Sequence, residues 1–361
     1  MSSTTAEFES IRALRGVAAL LVAVSHLAPF LPSAGHGWAA FPFALGKVGV
    51  DIFFVISGFV MALATASLPA GRSGALGFLW RRIARIVPLY WIVTLALVAA
   101  IALDMNLGAQ RSVDIERLLR SLLFFPVHTE EGGIRPIIAV GWSLDYEMYF
   151  YLCMTAVLCL THRHRLLGTA ALIAIIYLLA RPALDPGVDW VVNSGLVAEF
   201  LFGYLAAVCY RNRRATGLLL AAAVAACLYS WSLILQLHPY GAGFDRSFSW
   251  GAVALIVVAG LAALEHRVPI GRIPLLAGIG DASYALYLIH VPVFAIVHRL
   301  IAGLALQMPP VVLFATMLLA ATLASVAMHR LIERPLTVGL QRRSPFAAGR
   351  AAPPRPAGHS L

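Results

Sequence analysis

A guanidinium and an imidazole, two groups that could do chemistry, lie eleven residues apart in the first long apolar segment. Arg15 is near the start of this segment and His26 is near its end. A helix would bring them to nearly the same face, about 16 Å apart along its axis. Because a guanidinium binds phosphate and a neutral imidazole accepts protons, the pair suits a long ligand with one charged and one reactive end. The alternative is an arginine that reaches the membrane surface and a buried structural histidine.

Two arginines in the third apolar segment and a carboxylate in the second could belong to the same site. Arg82 and Arg85 are i,i+3 neighbours if the helix has begun there, so both guanidiniums would face one way. The alternative is an ordinary basic cluster at the cytoplasmic end of a membrane helix. Asp51 lies at a predicted depth close to that of His26, where its carboxylate could orient the imidazole. Alternatively, Asp51 is a solvated residue at a helix start.

The fourth apolar segment carries another carboxylate among polar and aromatic residues. Ser143, Glu147 and Tyr151 follow one another at i,i+4 spacing, which places them on one face of a helix. A carboxylate inside an apolar span is costly unless it faces a cavity or a partner. We therefore predict that this face, together with Trp142, lines a polar passage. The alternative is a structural bridge to an arginine of a neighbouring helix.

A polar stripe also runs along the ninth apolar segment. Ser283, Tyr287 and His290 occupy positions i, i+4 and i+7, so they share one helical face. Such a stripe indicates either the lining of a passage or hydrogen bonds between helices.

The composition indicates what must position these residues. The 361 residues are 60% hydrophobic and 12% charged, an apolar excess that excludes a soluble single domain. The net charge of +10 comes from short arginine clusters between apolar runs, which indicates membrane topology rather than nucleic-acid binding. The four cysteines lie in apolar runs without metal-ligand spacing, so we expect packing roles and no metal site.

Apolar runs between the charged clusters predict an all-α, polytopic integral membrane protein with about ten transmembrane helices. With the N-terminus in the cytoplasm, 19 of the 27 Lys and Arg residues lie on the cytoplasmic side, which places both termini there. The segment 104–135 is predicted to form an amphipathic helix at the membrane surface. The predicted spans are 11–31, 48–67, 84–103, 136–160, 166–180, 194–210, 216–235, 249–264, 280–302 and 311–331.

The predicted spans divide the chain into a long membrane-embedded region and a short C-terminal tail. Residues 1–340, which contain all the predicted spans, are predicted to form one membrane-embedded domain. Residues 341–361 are rich in Pro, Ala, Gly and Arg and have no apolar periodicity, so we expect a disordered cytoplasmic tail.

Six sequence blocks, in this order along the chain, resemble the acyltransferase-3 family of bacterial membrane O-acyltransferases. The short N-terminus, without an attached hydrolase-like domain, most resembles the stand-alone branch that modifies exopolysaccharide. The blocks are Arg15 with His26, Val48–Asp51 through Ser57–Gly58, Arg82 with Arg85, Trp142–Leu144 with Glu147, Ser283–Tyr284 through His290, and Glu333–Pro335.

The resemblance implies that His26 is catalytic and that Arg15, Arg82 and Arg85 belong to an acyl-CoA site. We expect Asp51 and Glu147 to assist catalysis. The phosphates of CoA would bind the cytoplasmic arginines while the thioester reaches His26, which takes the proton of an acceptor hydroxyl. The substrate or the passage would contact Trp142, Ser143, Tyr151, Ser283, Tyr287 and His290.

The expected partners are acyl-CoA, a glycan or lipid-linked sugar acceptor, and the bilayer of the bacterial inner membrane, with no nucleic acid. Acetyl-CoA would be a co-substrate, and we expect no permanently bound cofactor. An acyl-enzyme on a Ser or Tyr is an alternative mechanism. A different function is a proton-coupled transporter or lipid-linked glycan flippase with a relay of His26, Glu147 and His290. A purely structural membrane scaffold would leave the buried carboxylates without a purpose.

Overall fold

The computed structural model describes residues 8–31, 41–103, 105, 113–128, 134–161, 164–179, 185–230, 243–265, 267 and 273–346. Within these ranges the backbone forms helices, and the single β contact is an isolated bridge between His128 and Ile134. The predicted all-α class is therefore confirmed. In chain order the helices are α1 (Glu9–Ser25), α2 (Phe41–Gly46), α3 (Val48–Ala66), α4 (Arg72–Ala102), α5 (Ile115–Leu122), α6 (Trp142–Leu160), α7 (Arg165–Leu179), α8 (Pro186–Val192), α9 (Leu196–Cys209), α10 (Arg213–Tyr229), α11 (Phe244–Ala263), α12 (Pro274–Asp281), α13 (Ser283–Gly303) and α14 (Pro310–Arg342).

Six helical stretches of the described chain are long and apolar enough to cross a membrane. They are Pro42–Ala66, Arg72–Ala102, Pro186–Cys209, Phe244–Ala263, Ser283–Gly303 and Pro310–Arg342. A helix coincides with each of the ten predicted spans, but α1, α6, α7 and α10 are not among these six stretches. Helices α1, α7 and α10 have only 15 to 17 residues, whereas a span needs roughly 20. The count of ten spans and the cytoplasmic position of both termini therefore stay predictions.

Helix α1 is surrounded by other helices, because it packs against α3, α12 and α13. Six of its nine buried residues are Ala, Gly or Ser, and among them Ala13, Ala18 and Ala23 have no exposed surface. Small side chains let neighbouring helices approach closely, which is the usual way for helices to associate in a membrane. The close packing holds Arg15, on α1, and His26, which directly follows its last residue, against the rest of the bundle.

Helices α3 and α9 cross at two glycines. A Cβ atom on Gly58 would lie 1.8 Å from the carbonyl oxygen of Phe200, and one on Gly203 would lie 1.8 Å from that of Val55. Neither position has room for a side chain, so the two backbones are in direct contact. This contact fixes α3, the helix that carries Asp51 and Ser57.

Helix α4 begins at Arg72, well before the predicted start near residue 84. Arg82 and Arg85 therefore lie within the helix, as the i,i+3 argument requires. Pro88 interrupts the helical hydrogen bonds in the middle of α4, because it has no N–H to donate.

The segment predicted to be amphipathic contains α5. Asp114 caps this helix by accepting a hydrogen bond of 2.7 Å from the backbone N–H of Arg117. The indole N–H of Trp91, on α4, donates to the carbonyl oxygen of Leu122 at 2.7 Å and so ties α5 to α4. Its position at the membrane surface stays a prediction, and residues 104, 106–112 and 129–133 lie outside the described ranges.

Helix α14 extends beyond its predicted end near residue 331. It includes a π-helical turn, His329–Glu333, and ends at Arg342. Most of the predicted disordered tail, residues 347–361, lies outside the described part of the chain.

Candidate functional site

A narrow cavity of about 80 Å³ lies between α1, α3, α4, α6 and α13. These helices are distant in sequence, yet each contributes residues at one face. Eight of the residues proposed from the sequence line the cavity, namely Arg15, Arg82, Arg85, Ser143, Glu147, Tyr151, Ser283 and Tyr287. The spacing arguments for α4, α6 and α13 thus identified residues that share a cavity, whereas their roles in a reaction stay predictions.

Three guanidiniums give the cavity its charge. Arg15 comes from α1, and Arg82 and Arg85 come from successive turns of α4. Among the described residues, no carboxylate lies within ion-pair distance of any of them. The Nε atom of Arg82 is buried without a hydrogen-bond partner in the same part of the chain. Since buried cations are costly without a partner, this arrangement favours an anionic ligand.

Among the described residues that line the cavity there is one carboxylate, and two hydroxyl groups hold it. Glu147 accepts a hydrogen bond of 2.9 Å from Ser57 of α3 and another from Tyr151, one turn further along α6. These bonds fix the carboxylate between α3 and α6. Glu147 therefore partly offsets the positive charge of the arginines without forming an ion pair with them.

Ser143 and Tyr287 connect α6 to α13. The Tyr287 hydroxyl lies 2.7 Å from the carbonyl oxygen of Val140, to which it must donate because a carbonyl only accepts. Ser143, at 2.6 Å, therefore donates its own hydrogen to the Tyr287 oxygen. Nearby, the Tyr284 hydroxyl donates to the carbonyl oxygen of Ile86 at 2.7 Å. All of these hydroxyl groups are fixed in direction.

His26 and His290 form a pair beside the cavity rather than in its lining. Nδ1 of His26 lies 2.9 Å from the carbonyl oxygen of Val22 and 3.2 Å from Nε2 of His290. Nδ1 of His290 lies 2.9 Å from the carbonyl oxygen of Leu286. Because carbonyl oxygens only accept, each neutral ring carries its proton on Nδ1. His26 Nε2 is then left with a lone pair, the form that a general base needs.

Tyr287 connects the cavity to this histidine pair. Its ring lines the cavity, and the ring centre lies 6.3 Å from that of His290. His26 and His290 have ring centres 5.0 Å apart. The sequence predicts that Arg15 and His26 face one continuous space. In the structure they do not, because the rings of Tyr287 and His290, on α13, lie between the cavity and His26.

The expected interaction between Asp51 and His26 is not found. Asp51 is completely buried, and Arg246 of α11 donates to both of its oxygens, at 2.9 and 2.8 Å. Glu199 lies in the same cluster and accepts a hydrogen bond of 3.1 Å from Ser247. A bidentate guanidinium occupies the carboxylate that was expected to orient the imidazole. Asp51 is therefore better described as part of a structural charge cluster.

Trp142 also differs from the prediction. Its ring packs at right angles against Phe54 and Tyr146, with centres 6.5 and 5.8 Å away, and it does not line the cavity. One residue along a helix turns the side chain by about 100°. Of the two neighbours of Ser143, Leu144 is turned into the cavity lining, whereas Trp142 is turned against Phe54 and Tyr146.

The sequence reasoning missed Ser57, Tyr284 and Arg246 as parts of these sites. Ser57 and Tyr284 lie in the sequence blocks already singled out, and Ser57 is on the helical face that Glu147 meets. Arg246 lies between the predicted spans 216–235 and 249–264, in a segment that the predicted topology places outside the membrane on the external side. A signal was present, because a carboxylate such as Asp51 within an apolar segment requires a cation elsewhere in the chain.

The chain belongs to the acyltransferase-3 family, which confirms the resemblance given by the six sequence blocks. An acyltransferase domain of this family matches residues 8–330, nearly the whole chain. Together with the helices that are long and apolar enough to cross a membrane, the match identifies an integral membrane acyltransferase.

Two named relatives cover most of the chain. It is 33% identical over 318 residues to the exopolysaccharide production protein ExoZ of Rhizobium meliloti (strain 1021), covering 86% of this chain and 96% of that protein. It is 27% identical over 375 aligned positions to the acyltransferase MdmB of Streptomyces mycarofaciens, covering 94% of each. No solved structure matches the chain.

Proposed function

We propose that this acyltransferase transfers an acetyl group from acetyl-CoA to a sugar hydroxyl of an exopolysaccharide or another cell-surface glycan, at the bacterial inner membrane. The observation that carries the proposal is the cavity in which Arg15, Arg82 and Arg85 face a common space without a carboxylate partner among the described residues. CoA is an anion with several phosphates, and forked guanidiniums are the side chains best suited to bind them.

The dimensions of the cavity indicate how the donor would enter. About 80 Å³ is far below the roughly 300 to 1,000 Å³ of ordinary ligand pockets. Side chains must therefore move when the pantetheine arm binds. Phe53 and Tyr287 line the cavity with ring centres 5.8 Å apart, and Tyr287 also borders the histidine pair. A shift of these two rings would open a path from the arginines toward His26.

In the proposed reaction, His26 is the general base. The acceptor oxygen attacks the carbonyl carbon of the thioester while its proton passes to Nε2 of His26. The bond between carbon and sulfur then breaks, and the histidine returns the proton to the sulfur of CoA. The products are an O-acetyl ester and free CoA thiol. The hydrogen bond from Nδ1 to the carbonyl oxygen of Val22 keeps the lone pair on the reacting nitrogen.

The nature of the acceptor rests on the relatives. ExoZ is named for exopolysaccharide production, and it covers most of this chain at 33% identity. We extend that name to an exopolysaccharide or related glycan as the acceptor here. The transporter alternative receives less support, because the hydrogen bonds to Glu147 come from Ser57 and Tyr151, not from the histidine pair, within the described residues.

Release of CoA thiol by the purified protein in detergent, with acetyl-CoA and an oligosaccharide acceptor, tests the proposal. We expect His26→Ala to lower kcat/KM by about 10²- to 10⁴-fold, which is the usual contribution of a general base. His298→Ala is the matched control, because His298 is an exposed histidine on α13 outside the cavity. It should keep the wild-type rate.

Two results would contradict the proposal in different ways. Wild-type thiol release by His26→Ala would remove His26 from the reaction. Sugar or lipid transport in liposomes without any consumption of thioester would favour the transporter and exclude the enzyme.

A further inference from the structure

Three hydrogen-bond acceptors surround one of the two ring nitrogens of His26. Its Nδ1 atom lies 2.9 Å from the carbonyl oxygen of Val22, 3.2 Å from Nε2 of His290 and 3.2 Å from the hydroxyl oxygen of Ser25. The Ser25 hydroxyl gives its own hydrogen to the same carbonyl oxygen, at 2.6 Å. Nε2 of His26 has no hydrogen-bond partner within the described ranges. The protein therefore holds this ring by its Nδ1 side and leaves Nε2 available.

The end of α1 supplies two of these acceptors. The backbone N–H of His26 donates to the carbonyl oxygen of Ala23 at 3.1 Å, one residue closer than in a regular α-helix. The carbonyl oxygen of Val22 is thereby released from the helix and can accept hydrogen bonds from side chains. Val22 and Ser25 belong to the same helical turn as His26. They therefore keep the proton on Nδ1 but move together with the ring.

The third acceptor, His290, comes from another helix. Its own Nδ1 lies 2.9 Å from the carbonyl oxygen of Leu286, so this Nδ1 carries the proton and Nε2 keeps a lone pair. That lone pair faces the Nδ1–H of His26, whose hydrogen is shared with the Val22 carbonyl oxygen. Shared hydrogen bonds of this kind are common at helix ends. His290 thus ties the orientation of His26 to α13, the helix whose Tyr287 lines the arginine cavity.

Other side chains enclose His290. It has no exposed surface, and it is not among the described residues that line the cavity. The rings of His26, Tyr287 and Phe294 have their centres 5.0, 6.3 and 5.8 Å from that of His290. An enclosed side chain acts on a reaction through its neighbours, and the neighbour with a reactive atom is His26.

We propose that His290 is the positioning residue of His26, the role that the sequence assigns to Asp51. In the structure Asp51 is bound to Arg246 instead. When His26 takes the proton of the acceptor hydroxyl, its ring becomes a cation, and the hydrogen bond from its Nδ1–H to His290 becomes charge-assisted. Because this bond strengthens as the charge develops, it stabilises the transition state more than the bound substrates.

A neutral imidazole suits this place better than a carboxylate. The rings of Tyr287 and Phe294 make the surroundings of His290 largely apolar, and an unpaired carboxylate there would carry a large desolvation cost. A neutral acceptor avoids this cost and still binds the charged ring once the proton has arrived. This role of His290 rests on the proposed function, in which His26 is the general base.

The kinetics of two variants test this role. Leucine fills a similar volume but accepts no hydrogen bond, so His290→Leu should lower kcat about 10- to 100-fold, the factor that corresponds to one hydrogen bond to a charged group. The KM for acetyl-CoA should change by less than about threefold, since the bond strengthens only in the transition state. His290→Gln places an amide oxygen near the position of Nε2 and should restore most of kcat.

His298→Leu is the matched control, because His298 is an exposed residue of the same helix outside the cavity. It should keep the wild-type kcat. Equal losses of kcat in His290→Leu and His290→Gln would show a role in packing alone and overturn the proposal. An unchanged kcat in folded His290→Leu, or a loss confined to KM, would overturn it as well.

Nitrogen NMR tests the direction of the hydrogen bond without requiring turnover. The sample is the full-length wild-type protein in nanodiscs, with isotope-labelled nitrogen in its histidine rings. We expect both His26 and His290 to carry the proton on Nδ1, with Nε2 of His290 unprotonated. A proton on Nε2 of His290 would reverse the bond and overturn the proposal, whether or not any variant folds.

Thiol release by the wild type is measured in parallel and separates the two proposals. The expected protonation without thiol release would refute the proposed function. Thiol release that depends on His26, together with a wild-type kcat in His290→Leu, would refute only the role of His290.

Discussion

Two groups of buried charges lie within these helices, and they differ in how the charges are balanced. In one, Arg246 gives two hydrogen bonds to Asp51, with Glu199 and Ser247 alongside. In the other, Arg15 and the α4 arginines line a cavity and have no carboxylate within ion-pair distance among the described residues. The guanidinium of the first group already has a carboxylate partner, whereas the guanidiniums of the second group have none within the described chain.

This difference separates a structural role from a binding role more clearly than residue type does. Asp51 and Arg15 are both ionisable residues in apolar segments, and both looked functional from the sequence. A bidentate pair in a buried site satisfies itself, so it can hold α3 against α11 with no further partner. Unpaired guanidiniums around an open space lower their free energy only when an anion arrives.

Removing one member of the paired cluster should have the largest effect. Arg246→Ala would leave the buried carboxylates of Asp51 and Glu199 without their cation. Loss of one partner of a buried ion pair typically costs about 3 to 5 kcal/mol, so we expect little folded protein. The yield of monodisperse protein after size-exclusion chromatography and its Tm measure this effect.

The double variant Asp51→Leu/Arg246→Met is the control for that experiment. Apolar side chains of similar volume can replace a buried ion pair at little cost, so this variant should regain a substantial part of the lost Tm. A double variant as unstable as Arg246→Ala would show that the cluster does more than balance its own charge. A fully stable Arg246→Ala would show that the pair is dispensable.

Removing a cavity arginine should have the opposite pattern, with lost binding and kept stability. Arg85→Leu deletes a guanidinium that has no carboxylate partner among the described residues and faces two others of the same charge. We expect an equal or higher Tm and a KM for acetyl-CoA that rises about 10- to 100-fold, because hydrogen bonds to charged groups contribute about 1.5 to 3 kcal/mol. Calorimetry and thiol-release kinetics measure the two quantities.

Arg81→Leu is the matched control, since Arg81 lies on the same helix but does not line the cavity. It should change neither the Tm nor the KM by a comparable amount. If Arg85→Leu instead lowered the Tm as strongly as Arg246→Ala does, the contrast between the two charge groups would be lost.

The sequence predicts much of the cavity because helical periodicity is a local property. Ser143, Glu147 and Tyr151 follow one helical face whatever surrounds them, and Ser283 and Tyr287 follow another. The apolar runs likewise locate the helices well. Helix ends are less well determined, as the start of α4 at Arg72 shows, because arginines near a membrane surface can continue a helix as easily as end it.

The sequence does not indicate which residues of distant helices contact each other. The partner of Asp51 is 195 residues away, in a segment that charge counting assigned to an external loop. The contact between His26 and His290 joins residues 264 positions apart. Both depend on how the helices rotate and cross, and those are set by packing contacts such as Gly58 against α9.

The smallest expected effect lies within the paired cluster and refines the comparison. Asp51 receives both hydrogen bonds from Arg246, whereas Glu199 accepts one from Ser247 and its Oε2 has no hydrogen-bond partner among the described residues. One guanidinium balances the charge of one carboxylate, so the second carboxyl group destabilises the fold least when it is uncharged.

Glu199→Gln keeps the shape and the hydrogen bond from Ser247 without the charge, so the Tm should change by less than about 2 °C. Asp51→Asn, the matched change at the paired carboxylate, should lower the Tm much more, because it leaves Arg246 without its counterion. Equal losses in the two variants, measured by calorimetry, would mean that both carboxylates are ionised and that the cluster binds an additional cation.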